Sequence, residues 1–156
     1  MLTKPKYGWT IFSLEGTNGY ELSYLDDIAI EWLDQAIFGL ETMKPFCVKG
    51  FLEPLRFLCV VSYWNCHILI EEDGHYPIRA DSVHHEVSYT SMLEFCQYLY
   101  EDINQYFDEW VDFVEYMYFQ ESDRENKQIL LKDKLNKLQK LIIEKKENFG
   151  EDDSFF

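Results

Sequence analysis

The spacing of hydrophobic residues changes period several times along the chain, and each change marks an element. Over residues 8–24, WTIFSLE and YELSY flank TNG. Alternation puts Trp9, Ile11 and Ser13 on one face and Phe12 and Leu14 on the other. Asn18-Gly19 supplies the pair of positive φ angles that a type I′ turn demands, so the stretch predicts a β-hairpin. SYLDDIAIEWLDQAIFGL then turns helical: Ala29, Leu33, Ala36, Ile37 and Leu40 recur on one stripe. A helix over about 26–40 follows, capped by Asp26 or Asp27, loosened at Gly39 and separated by Pro45 from the next element.

FCVKGFL, LRFLCVVSY and NCHILIEE read as strands, with both faces of 55–61 largely apolar. That pattern suits a central strand. Turns fall at 62–65 and at Glu72-Asp73-Gly74, and YPIRAD adds a short edge strand. The gaps are too short for parallel crossovers, so residues 46–89 read as an antiparallel meander. Ser91 with Glu94, and Ser122 with Glu125, have capping-box spacing, which places helices over about 91–119 and 123–147. Leu131, Leu135, Leu138 and Ile142 form a narrow apolar stripe on the second of these, suited to packing across the first or to a homodimer seam. The expected fold class is α+β. It is a single domain over 1–148 in which a largely antiparallel sheet of about five strands packs against three helices, the last two long. Residues 149–156 form an acidic, flexible C-terminal tail.

Composition adds core material and a charge problem. The 156 residues are 47% hydrophobic and 17% aromatic, and the formal net charge is −15. Such a chain repels phosphate backbones and anionic membranes and attracts basic surfaces. No stretch approaches the length of a membrane span and no apolar leader opens the sequence, so a cytoplasmic location is expected. Cys47, Cys59, Cys66 and Cys96 lack CxxC spacing and read as free thiols of a reducing compartment.

The charge is not evenly spread. Residues 1–88 carry 13 acidic and 6 basic side chains, residues 89–123 carry 9 and none, and residues 124–156 carry 7 and 8. On a continuous helix from 91, Glu94, Asp108, Asp112 and Glu115 fall within about 40° of Glu101, with Asp102 and Glu109 on a flank. Met92, Leu99, Ile103, Tyr106, Trp110 and Met117 face the opposite way. Like charges at i,i+3 and i,i+4 weaken a helix, so amphipathicity accounts for the polarity of this ridge but not for its single sign. Several explanations compete. Lys132, Lys134, Lys137 and Lys140 of the last helix neutralise the ridge internally, the ridge reflects the compositional bias of an acidic proteome, it receives a basic protein, or it serves a metal or catalytic role. The basic-protein reading assigns Glu94, Tyr98, Glu101, Asp102, Asp108, Glu109, Asp112, Glu115 and Tyr116 as partner-binding, with aromatic anchors beside charges.

Other chemistry is weak. His75, His84, His85 and Glu86 suggest a metal, but adjacent histidines on a strand face apart and no ligand array is present. Glu71-Glu72 and Asp26-Asp27 offer carboxylate pairs without a visible pocket, and no glycine-rich phosphate loop occurs. No catalytic residue, cofactor or metal is assigned.

YELSYLDDIAIEWLDQAIFGLE, the apolar strands, and FCQYLYEDINQYFDEWVDF together resemble small acidic bacterial immunity proteins that accompany secreted polymorphic or contact-dependent toxins. The resemblance implies a non-enzymatic, cytoplasmic protein that binds its cognate basic toxin domain, often a nuclease, and blocks its substrate surface. It carries no functional residue position by position. Alternatives are a DNA-mimicking inhibitor of DNA-binding proteins and a small enzyme or metal protein built around His75 to Glu86.

Overall fold

The computed structural model of the chain describes residues 1–72, 83–114 and 119–149. The order is β1 (Trp9–Phe12), β2 (Tyr20–Ser23), α1 (Ile28–Thr42), β3 (Phe46–Phe51), β4 (Leu55–Val61), β5 (Cys66–Glu72), β6 (His84–Ser88), α2 (Met92–Gln105), α3 (Phe107–Val111) and α4 (Glu121–Phe149). The fold is α+β, as the sequence implies. β3-β4-β5-β6 form the expected antiparallel meander, but β1 and β2 make a separate two-stranded sheet instead of joining it. The strand expected at YPIRAD and the turn at Asp73-Gly74 lie outside the described residues, as does the tail from 150 onward.

Caps fix the helix starts. Asp27 accepts from the Ile30 amide at the start of α1, and Ser91 and Glu94 complete a reciprocal capping box on α2. α4 begins two residues before the Ser122-Glu125 signal. Asp123 Oδ2 accepts from the Gln120 amide at 3.0 Å, so Gln120 and Asp123 hold the first turn. Gly39 does not loosen α1, which continues to Thr42 and ends on Met43 in the left-handed region. The glycine is needed for close packing: a Cβ there would lie 2.2 Å from the Phe46 ring.

Two expectations are overturned by tertiary contacts. β1 and β2 pair from Phe12↔Tyr20 outward, leaving a loop over 13–19, and neither Asn18 nor Gly19 has positive φ. Thr17 donates to Leu14 O with Gly16 at φ 80°, and Asn18 turns its amide and side chain to Glu86 on β6. The turn with two positive φ angles occurs instead at Tyr7-Gly8, between reciprocal Lys6–Trp9 backbone bonds. The helix expected over 91–119 also breaks, at Tyr106 (φ −115°, ψ 44°). Trp110 and Val111 are neighbours in α3. After the break both are fully buried, with Phe113 in edge contact with the Trp110 ring.

The helices pack on one face of the meander. Phe12, Trp32, Phe57 and Phe95 meet in one cluster, with Phe12 and Phe57 centroids 5.0 Å apart. This joins β1, α1, β4 and α2, and Trp32 Nε1 donates to Lys49 O at 2.8 Å. The stripe Leu131, Leu135, Leu138, Ile142 is buried within the chain as α4 packs on α1 and α2. These four side chains are therefore not a free homodimer seam. Along β4, Phe57, Cys59 and Val61 are buried while Arg56, Leu58 and Val60 are half-buried, so among the described residues one face of the meander is covered by helices and the other is not.

Candidate functional site

The break at Tyr106 divides the acidic ridge, and the two parts differ in their partners. Asp102 accepts from the Leu2 amide at 2.8 Å and pairs with the Met1 amino group at 3.2 Å. Glu109 lies 3.3 Å from Lys4 Nζ, and Asp112 accepts from Arg124 Nε at 2.9 Å. Its own backbone amide first, and then Lys4, hold the Glu109 carboxyl below the usual range. The expected row of uncompensated charge is thus corrected at Asp102, Glu109 and Asp112. Their cations come from the N-terminal segment and the first turn of α4, which no helical-wheel argument can locate. Glu115 and Tyr116 lie outside the described residues.

Glu94, Tyr98, Glu101 and Asp108 remain exposed. Glu94 contacts the Ser91 amide and Glu101 accepts from Gln97 Nε2, but neither has an ion-pair partner among the described residues, while Asp108 lies within the field of Arg124. Glu94, Tyr98 and Glu101 follow i, i+4, i+7 spacing along one side of α2, roughly 10 Å end to end. Tyr98 is 41% exposed, which keeps its ring on the surface beside the carboxylates.

The lysines of α4 go elsewhere. Lys127 pairs with Asp27 at 3.1 Å, Lys134 with Asp34, and Lys137 with Glu41 at 2.7 Å. All three carboxylates belong to α1 or its cap. These three lysines therefore neutralise α1, while Arg124 of α4 neutralises Asp112 of the ridge.

The remaining polar groups form small, separate clusters. His84 and Glu86 point to the covered side of β6, where Tyr20 hydroxyl donates to Glu86 and lies 3.2 Å from His84 Nε2. Burial, then the Glu86 hydrogen bond, pushes the Tyr20 phenol well above its ordinary value. His85 points the other way and meets His67 at 3.1 Å, as expected for adjacent histidines on a strand. His75 lies outside the described residues, among which no three His, Cys, Asp or Glu side chains come together as a metal site. The four cysteines are free, and burial pushes the Cys96 thiol upward. Asp26 and Glu31 line a cleft of about 200 Å³ with Trp32, Gln35 and Lys49, and desolvation raises both carboxyls. Asp27 is not its acid-base partner, being engaged as the α1 cap and with Lys127.

Sequence reasoning missed the Asp27–Lys127 and His67–His85 pairs. The residues of each are 100 and 18 positions apart, and only the docking of α4 on α1 and of β6 on β5 brings them together. Comparison of the chain with models of known protein families, with curated proteins and with solved structures finds no match.

Proposed function

We propose that this protein is a stoichiometric inhibitor that docks on a basic protein through the exposed side of α2, in the manner of an immunity protein neutralising a basic toxin, with a nuclease as the preferred target. The observation that carries this reading is that Glu94 and Glu101 have no cationic partner among the described residues, in a chain where Lys127, Lys134 and Lys137 of α4 are committed to α1 or its cap. A nuclease must present a positive surface to phosphates, and a row of carboxylates can occupy that surface and deny entry to substrate. Long-range attraction speeds encounter, while an aromatic such as Tyr98 supplies contact area that slows release.

The test is calorimetric titration of a basic nuclease domain encoded beside this gene, at low and high salt. Complex formation, with affinity falling at high salt and falling at least tenfold in the Glu94→Lys, Glu101→Lys, Asp108→Lys triple variant, supports the assignment. Equal affinity of the variant at low salt overturns it.

A further inference from the structure

We propose that the open face of the β3–β6 meander is the contact surface of a homodimer, with a second copy of this chain packed against it sheet to sheet. Register places Leu58 beside Leu69 and Val60 beside His67, with Val87 next along the same row. Leu58, Val60 and Leu69 are half-buried and Val87 is 40% exposed, which gives the face an apolar centre. Its polar groups are already satisfied by one another. Arg56 Nε donates to Glu71 at 3.0 Å, and the His67 and His85 rings share a hydrogen bond across β5 and β6.

Charge selects the occupant. Glu71 is the only carboxylate among the described residues of this face and is paired with Arg56, while Lys49 at its β3 edge lies beside Asp26 and Glu31 of the α1 cleft. In a chain of net charge −15, this is where two copies approach with least repulsion. A basic partner finds no free anion here to hold it, whereas apolar side chains without like-charge conflict are what a self-complementary contact needs. Four strands about 4.8 Å apart and about five residues long present enough surface to bury on the order of 1,000 Å² in total when two sheets meet. That is the lower edge of specific interfaces, so dissociation in the micromolar range is expected. α2 lies in the layer on the opposite side of the sheet, so this contact is independent of the proposed partner site.

Analytical ultracentrifugation of the full chain from about 1 μM to 1 mM tests the inference. A monomer–dimer equilibrium that strengthens with added salt supports it, because salt screens the repulsion between two anions. Binding of a basic partner to α2 should respond to salt with the opposite sign, so the two proposals fail separately. Leu58→Lys and Leu69→Lys, both outward-facing, should each shift dissociation at least tenfold while leaving circular dichroism and thermal unfolding unchanged. Glu94→Lys and Glu101→Lys should leave self-association intact. A native chain that stays monomeric to 1 mM at high salt overturns the proposal and leaves the face to a different protein. A dimer unaffected by folded Leu58→Lys or Leu69→Lys also overturns it.

Discussion

Asp27 holds two elements at once: one carboxylate oxygen caps α1 at the Ile30 amide, and the other lies 3.1 Å from Lys127 Nζ on α4. Lys127 is 8% exposed and also reaches Phe113 O at 3.4 Å, so its charge is compensated first by Asp27, with this carbonyl and the more distant Asp112 carboxylate beside it. A helix cap and an interhelical ion pair thus share a side chain.

Replacing Asp27 should separate those roles. Asp27→Ala removes the cap and leaves Lys127 charged and buried, at a cost of about 3 kcal/mol. Asp27→Asn keeps an oxygen for the Ile30 amide and loses only the charge, so it should cost about 1 kcal/mol less. Urea unfolding of the two variants measures the difference. Equal losses would show that the cap contributes nothing.

Alkaline pH should act on Lys127 and Tyr20 with opposite signs. Burial lowers the Lys127 value, so between its folded and unfolded values the unfolded chain binds more protons and stability rises with pH. Burial and Glu86 raise the Tyr20 value, so above pH 10.0 the unfolded phenol ionises first and stability falls as pH rises. In Lys127→Met the gain should vanish, and in Tyr20→Phe the loss should vanish. Denaturant titrations between pH 8 and 11 follow both, and ultraviolet titration should show one late-ionising phenol absent from Tyr20→Phe.

The Tyr7-Gly8 turn carries removable strain. Tyr7 is 87% exposed at φ 54°, a conformation that suits glycine or asparagine better. Tyr7→Gly should raise stability by up to about 1 kcal/mol. Gly8 has no such freedom: at φ 80°, a Cβ would fall 2.2 Å from Tyr24 Cδ1. Gly8→Ala should cost about 2 kcal/mol or more, through both strain and the displaced ring. Thermal unfolding distinguishes the two directions.

The carboxylates of the divided ridge should differ in what they support. Arg124→Ala frees Asp112 and removes a link between α4 and α3, so stability should fall slightly, and less at high salt. Glu101→Gln, whose side chain pairs with no cation among the described residues, should leave stability within about 0.5 kcal/mol. Unfolding at two salt concentrations checks both.

Signals carried by neighbouring residues were legible. The capping box at Ser91 and Glu94, the Asp27 cap, the short gaps that force an antiparallel meander, and the apolar stripe of α4 all follow from local spacing and appear as read. Asn18-Gly19 was misleading because turn propensity is a small preference, and Glu86, 68 positions away, offers Asn18 hydrogen bonds that outweigh it. The same limit applies to the acidic ridge: periodicity places carboxylates on one side of a helix but does not identify their cations.

The sequence by itself determined the α+β class, the antiparallel sense of the meander, most helix starts and the concentration of negative charge between 89 and 123, because each depends on local spacing along the chain. Only the tertiary structure decided which charges remain free. It sends Lys127, Lys134 and Lys137 of α4 to α1 or its cap, closes Asp102 with the N-terminus and Asp112 with Arg124, and breaks the helix at Tyr106. The physical reason is that Coulomb partners are chosen by distance in space, and that distance is set by hydrophobic docking of elements far apart along the chain.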